Sequence, residues 1–436
     1  RPPQGPAPAR RGRQGGAVLM ADVLEDLTAA TGGHARAATD DDAVAGVMPS
    51  WVASPGTADE AAALMRAAAA HDLTLVARGT GTKLGWGAPP EHVDVVVDTT
   101  RMDQVVEHAA GDLIVVVGAG RRLADLQAEL GDAGQRVGID PTRSGTVGGA
   151  VATAATGPTR LFHGAVRDLV IGMRFVRPDG VVAHAGGKVV KNVAGYDLGK
   201  VLTGSFGTLG LITEVAFRLH PLPEAQRWVT CAVDGPSDIQ QHVLALVHSQ
   251  LVPAAVELDR SRDGASLGVL LEGIAPGVEQ RVTEVRTLLG AAATDAATPP
   301  EWWGTEPATP SGVLLKVTHE IGRFTRLLEA LDAAADSAGL ATTLRGSPAV
   351  GTALVGVGAP SAGGAVSAGA VRELVDELRR RATTFGGSVV VLDAPPQLRE
   401  GLDVWGPVTA LDLMRSVKQR FDPERRLAPG RFVGGI

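Results

Sequence analysis

Three glycine-rich elements, all set in one run of alternating short strands and helices, constrain this chain more than any other feature. The first is Arg78-Gly79-Thr80-Gly81-Thr82-Lys83-Leu84-Gly85, which directly follows an apolar run of strand length. Its alternate glycines let backbone N–H groups converge without Cβ obstruction, and a concave set of N–H groups binds anions. Trp86-Gly87-Ala88-Pro89-Pro90 prevents a helix from following, so this is not a Rossmann fingerprint. Lys83 and Lys188 lack the spacing of a Walker A loop. Alone, the loop reads as a tight turn as often as a ligand site.

The second element runs from Gly138 to Thr153, with small residues around a helix start near Val147. It permits close backbone approach to a flat or anionic ligand, and a helix N-terminus there would favour negative charge. Tight helix–sheet packing explains the same composition equally well. The third is Gly186-Gly187-Lys188-Val189-Val190-Lys191-Asn192-Val193-Ala194-Gly195-Tyr196-Asp197-Leu198, followed by Thr203 to Glu214. Three such elements in one α/β unit suit a long, dinucleotide-like ligand better than a mononucleotide.

Hydrophobic periodicity predicts helices over Met20–Thr31, Thr57–His71 and Arg122–Leu130. It predicts strands at Trp51–Ser54, Leu73–Ala77, Val93–Asp98, Leu113–Val117, Leu169–Val176, Val181–His184 and Leu211–Leu219. From Trp228 the rhythm becomes β-α-β-β-α-β, with strands at Trp228–Val233, Ala254–Leu258 and Leu267–Leu271 and helices at Ser237–Ser249 and Val278–Leu289. After a Pro-rich loop at 291–310 come a strand at Val313–Thr318, a helix at Phe324–Ala338, weaker strands to Val357, a helix from about Ala370 to Phe385 and a strand at Ser388–Leu392. That alternation implies an antiparallel sheet with helices on one face. The expected fold class is therefore α+β. The division is a poorly ordered segment 1–41, a first domain 42–222, a second domain 223–404 and a closing segment 405–436 that returns to the first. Residues 1–19 read as disordered or as a gene-boundary artefact.

A net charge of −7 argues against nucleic acid as partner. No run reaches the roughly 20 apolar residues that span a bilayer. Cys231 is the single cysteine, so the chain can supply neither a disulfide nor a thiolate cage for zinc or iron–sulfur. The expected location is cytoplasmic, with contact to the inner face of the membrane only through partners.

In order and spacing the three elements resemble the FAD-binding domain of the vanillyl-alcohol oxidase / p-cresol methylhydroxylase (PCMH-type) superfamily. They are most similar to the FAD-binding E-type subunits of bacterial glycolate oxidase, whose Gly-Gly-Lys-Val-Val-Lys-Asn-Val-Ala-Gly-Tyr-Asp-Leu pattern stands unbroken at 186–198. The resemblance covers 45–222 and returns at Phe421-Asp422-Pro423 and Pro429-Gly430-Arg431-Phe432. It implies a two-subdomain FAD-binding domain followed by a ferredoxin-like antiparallel cap. It places Arg78, Gly79, Thr80, Gly81 and Thr82 around the FAD pyrophosphate, and Pro141, Gly145, Thr146, Gly148 and Gly149 along the pyrophosphate and isoalloxazine. Thr153, Gly157 and Gly164 would continue that wall, with Gly210 and Ile212 further along. Relatives with covalent flavin carry His where this chain has Thr82, so the FAD is expected to be non-covalent.

The chain departs from D-type relatives in two ways. Its second-domain histidines, His242, His248 and His319, lack the pattern of the metal site that grips a 2-hydroxy acid, so no metal is expected. Phe206 replaces an acid beside the cofactor loop. The resemblance implies a subunit that oxidises glycolate to glyoxylate together with a catalytic D-type flavoprotein and an iron–sulfur subunit. Alternatives are a self-sufficient FAD-dependent alcohol or 2-hydroxy-acid dehydrogenase and a structural subunit. No general base is assigned. Arg167-Asp168 reads as a structural ion pair, and Trp302-Trp303 as a buried anchor or a partner contact.

Overall fold

Val95–Asp98 (VVVD) is almost wholly buried, and such β-branched runs suit parallel strands covered on both faces. In the computed structural model, which describes residues 16–187, 197–361 and 364–436, this strand lies between Trp51–Ala53 and Leu75–Arg78, parallel to both. Ala35–Ala37 adds an antiparallel edge. The helix Ala58–Ala70 starts where the Thr57 hydroxyl accepts the Glu60 N–H, and it buries Ala61, Leu64, Met65 and Ala68 on this sheet. A second, antiparallel sheet orders Val105–Ala109, Ile114–Gly118, Leu211–Arg218, Val170–Val176 and Val182–Gly186. Val176 and Leu211 reach from it into the core of the first sheet, so the two subdomains share one apolar seam.

One expectation is corrected here. Segment 1–41 is not poorly ordered from residue 16 onward, because helix Gly16–Ala30 buries Val23 and Leu27 in that same core. Asp42 then ties the segment down, accepting from Arg36 and from Arg78, and these partners hold its carboxyl well below the usual range. Lys188, Lys191, Asn192 and Tyr196 of the third glycine-rich element lie outside the described residues.

From Ala225 the order β-α-β-β-α-β occurs twice, not once. The first unit comprises Ala225–Val233, Gly235–Val247, Ala255–Ser261, Gly264–Gly273, Ala275–Leu289 and Thr294–Ala296. The second comprises Val313–Thr318, Phe324–Ala338, Ala341–Ser347, Thr352–Gly358, Ala368–Ala382 and Ser388–Asp393. Each unit places its fourth strand beside its first and its third between first and second, a ferredoxin-like order. Pairing of Leu258–Arg260 with Leu344–Gly346 fuses them into one antiparallel sheet of eight strands. The period of two divides the faces. Val313, Leu315 and Val317 pack under the helices, whereas Leu314, Lys316 and Thr318 take the opposite face, toward the first domain. Trp302 and Trp303 lie over Gly268 of this sheet, where a Cβ would stand 2.8 Å from the Trp303 ring. They are an internal anchor, with Trp303 meeting Trp228 edge-on.

The chain then returns to the first domain. Helix Leu411–Phe421 delivers Lys418, whose ammonium donates to the Thr208 and Leu427 carbonyls at 2.8 Å and to Asp422 at 2.7 Å. Asp422 is fully buried and accepts the N–H groups of Arg426 and Leu427. Leu75 accepts from Ala428 and donates to Arg426, so the tail extends the first sheet. Removing one member of a buried ion pair leaves the other uncompensated. Lys418→Met is accordingly expected to lower the unfolding free energy by about 3–5 kcal/mol, measured by urea denaturation.

Arg136 of the first domain pairs with Glu272 of the second. Nearby, Glu257 is buried, accepts from the Ser347 hydroxyl and is pushed up to about 8 by burial, with Asp140 adding repulsion. The folded state thus holds a proton on Glu257 that the unfolded chain releases above about pH 4.5. That contribution is full below this pH and is lost as pH rises through about 8. Glu257→Gln should flatten the fall in melting temperature across this window, and an unchanged slope would contradict the assignment.

Candidate functional site

The turn after Leu75–Arg78 carries four successive backbone N–H groups, those of Gly79, Thr80, Gly81 and Thr82, with no hydrogen-bond partner among the described residues. Successive N–H groups left unpaired and lining a cleft form an anion-binding concavity, a place for acceptor oxygens. Gly81 takes φ +78°, which turns the loop back on itself at no Cβ cost. Gly79 is required for another reason. A Cβ there would lie 2.1 Å from the Thr146 hydroxyl oxygen, so only glycine lets the first and second elements touch. Gly145 repeats the arrangement from the other side, its missing Cβ being 2.9 Å from the Thr82 hydroxyl oxygen.

Between the two sheets these elements form a cleft lined by Arg78, Gly79, Thr80, Gly81, Thr82, Gly145, Thr146, Gly148, Gly149, Thr153, Gly210 and Ile212. Ala119, Ala152 and Leu211 complete an apolar wall against which a flat ring system can lie. Three expected residues are not brought into it. Pro141 lines a neighbouring cavity, and Gly157 sits under Asp140, whose carbonyl oxygen would be 1.7 Å from a Cβ. Gly164 ends the turn Arg160–His163 at φ +86°. Gly157 and Gly164 are glycines for packing and backbone reasons.

Two further expectations change. Helix Val147–Ala152 spans six residues, and its first N–H groups are already used by Arg121, Ala119 and the Thr146 side chain. The second element therefore supplies close approach, and the free donors belong to the first. Arg78 does not offer its guanidinium to a ligand either, because Asp42 at 2.8 Å and Asp98 at 2.9 Å occupy it. It fixes the base of the loop. Arg167 and Asp168 stand 4.0 Å apart on the surface, and Asp168 caps the turn by accepting the Ala165 N–H.

Side chains from distant parts of the chain hold the loop in shape. Arg431, 4% exposed, donates to the Leu84 and Trp86 carbonyls at 2.8 and 2.7 Å. Arg399 reaches Gly85 at 2.9 Å from the second domain. Arg143 binds the Thr82 carbonyl, Glu306 and Asp393 together. Lys83 donates to the Arg143 carbonyl at 2.6 Å, and burial beside Arg143 pushes it down to about 8. Sequence patterns flagged the Pro-Gly-Arg-Phe ending but not these roles, since each partner is more than 50 residues away in sequence.

Beyond Lys83, Thr153 and Phe206, which border both spaces, the cleft opens into a cavity of about 310 Å³ under the eight-stranded sheet. Trp86, Phe206, Trp405 and Phe432 form one side, Lys316, Thr318, Leu354, Ser388, Val390 and Leu392 the other. Phe206 packs edge-on against Trp405 at 5.0 Å, in keeping with the packing role expected for it. Among the described residues no cluster of three or more His, Cys, Asp or Glu can hold a metal ion.

A cleft with a row of free N–H donors, glycines where backbones meet and an apolar wall leading to a neighbouring cavity suits a dinucleotide with a flat ring. Residues 49–186 match the family described as FAD binding domain. The chain carries a PCMH-type FAD-binding domain, and FAD is its cofactor. An uncharacterised FAD-linked oxidoreductase of Mycobacterium tuberculosis is 31% identical over 54% of this chain and 51% of its own length. Glycolate oxidase subunit GlcE of Escherichia coli (strain K12) is 33% identical over 50% of this chain and 59% of that subunit. The chain thus spans about half the length of the curated relatives it matches. A solved structure of alkyldihydroxyacetonephosphate synthase shares the fold, with TM-score 0.65 at 17% identity over 88% of this chain and 76% of that one.

The residues present fit FAD. The donors of 79–82 match its diphosphate, and the wall of Ala119, Ala152, Leu211 and Ile212 matches its rings. Gly79→Ala should weaken FAD binding at least tenfold in a fluorescence-quenching titration. Gly111→Ala, where a Cβ meets nothing within 4 Å, should leave it unchanged.

Proposed function

We propose that the chain is the FAD-binding subunit of a 2-hydroxy-acid dehydrogenase of the glycolate oxidase kind, with non-covalent FAD and with electrons passed to partner subunits. The observation that carries this reading is the cavity that meets the FAD cleft at Lys83, Thr153 and Phe206. FAD supplies a two-electron acceptor for oxidation of an alcohol to a carbonyl. The chain's own residues hold and screen the substrate. Trp86, Phe206, Trp405 and Phe432 exclude water, and Lys83 at the opening can keep or release a proton near neutral pH. Functionally we divide the chain into an FAD-binding unit 42–222, a cap 223–404 and a closing segment 405–436.

The similarity to glycolate oxidase subunits supports dependence on partners, namely a D-type flavoprotein and an iron–sulfur protein. Cys231, buried and pushed up to about 11 by burial, cannot by itself ligate a cluster that would carry electrons away. No helix among the described residues is long and apolar enough to cross a membrane, so membrane contact falls to the partners. Thr82, facing Gly145, stands where covalent attachment would need a histidine.

A second reading, a self-sufficient dehydrogenase, rests on the same cavity, which residues of both the FAD-binding unit and the cap line. Acid precipitation of the purified, FAD-loaded chain should leave yellow flavin in the supernatant. Under anaerobic conditions glycolate or D-lactate should not bleach the lone chain but should do so once the partner subunits are added. Bleaching of the lone chain would select the second reading, and flavin retained in the pellet would contradict non-covalent binding.

A further inference from the structure

The cavity beside the FAD cleft is built for a particular kind of molecule. Its floor includes the face of strand Val313–Thr318, beside the edge strand Ser388–Asp393, that presents Lys316 and Thr318. Lys316 pairs across the sheet with Leu354 on one side and Val390 on the other, so one ammonium group stands in an apolar row. It makes no hydrogen bond and no ion pair among the described residues, and burial lowers its pKa, with only repulsion from Arg160 added. A lysine held between leucine and valine without an acid is electrostatically incomplete. Toward the mouth, the Thr318 and Ser388 hydroxyls are hydrogen-bonded to each other at 2.7 Å. In the other direction Leu314, Leu392 and Trp86 form a continuous apolar cluster with Phe206 and Leu354 around it.

Size points the same way. At about 30 Å³ per water molecule, the cavity's 310 Å³ holds on the order of ten water-sized groups. Glycolate has about half that many non-hydrogen atoms, and would leave the tryptophan and leucine walls facing water.

Resting on the dehydrogenase reading above, we propose that Lys316 binds the substrate carboxylate and that the substrate is a 2-hydroxy acid with a sizeable apolar side chain, aliphatic or aryl. The carboxylate supplies the missing charge at Lys316. The side chain fills the part of the cavity lined by Trp86, Leu354, Val390 and Leu392. The shared border of Lys83, Thr153 and Phe206 leaves the carbinol end facing the FAD cleft.

Binding is tested apart from turnover by titrating the FAD-loaded chain calorimetrically with acids that lack the hydroxyl. 3-Phenylpropionate and hexanoate should bind at least tenfold more tightly than acetate, and 3-phenylpropionamide should lose most of that affinity. Lys316→Met should weaken 3-phenylpropionate at least tenfold and leave the amide unchanged. Leu354→Trp, which fills the apolar half, should erase the preference over acetate. Equal affinity for acetate and 3-phenylpropionate, no binding of either, or an unaffected Lys316→Met would each overturn the proposal. Oxidation of glycolate without oxidation of 2-hydroxyhexanoate would also overturn it while sparing the dehydrogenase reading. Tight, Lys316-dependent binding of the long acids, with no hydroxy acid oxidised even after the partner subunits are added, would support the pocket and defeat that reading instead.

Discussion

The guanidinium of Arg431, bonded to the carbonyls of Leu84 and Trp86, is the contact on which the functional part of this molecule depends. The loop it grips follows directly on the four N–H donors of 79–82, and a row of free donors in water has no reason to stay convergent. Burial, with Arg399 close by, pushes Arg431 down to about 10, still well above neutral pH, so it stays charged. The tail that delivers it is fixed in turn by Lys418 and Asp422, which satisfy each other and four backbone groups around them. The last residues of the chain thus shape a loop near its beginning.

The second domain acts through the same loop. Arg399 bonds to Gly85, and Arg143 joins Thr82 to Glu306 and Asp393. With Arg136–Glu272 these contacts seat the sheet of the cap over the cleft. A duplicated ferredoxin-like unit suits this task, because helices cover one face of its sheet and leave a broad second face to roof a cavity. The side chains that meet the cavity come from alternate positions of Val313–Thr318, Thr352–Gly358 and Ser388–Asp393, so each strand serves core and site at once.

Much of this was legible in the sequence. Val95–Asp98, Leu211–Arg218 and Val313–Thr318 are apolar runs too short for helices, and Phe324–Ala338 has a clear helical face. Glycines bounding the cleft were legible because close backbone approach leaves no other choice, as at Gly79 and Gly145. Gly157 and Gly164 lie outside that cleft, where packing beneath Asp140 and a left-handed turn demand glycine just as firmly. The second βαββαβ unit was obscured because Ala341–Ser347 mixes Thr, Arg and Gly, being half exposed at the seam of the sheet. The helix near Met20–Thr31 was legible, but its docking was not, because only two buried residues, Val23 and Leu27, and one aspartate, Asp42, secure the segment. The roles of Arg143, Arg399, Arg431 and Lys316 arise only from tertiary contact, which no local pattern encodes.

The central claim is that backbone N–H groups of 79–82 hold the diphosphate of FAD, and the most direct measurement compares FAD with riboflavin. Fluorescence-quenching titrations of the flavin-free chain should give an affinity for FAD at least a hundredfold above that for riboflavin, which carries the same ring system without phosphate. Equal affinities would contradict the account, since the ring would then bind without help from the loop.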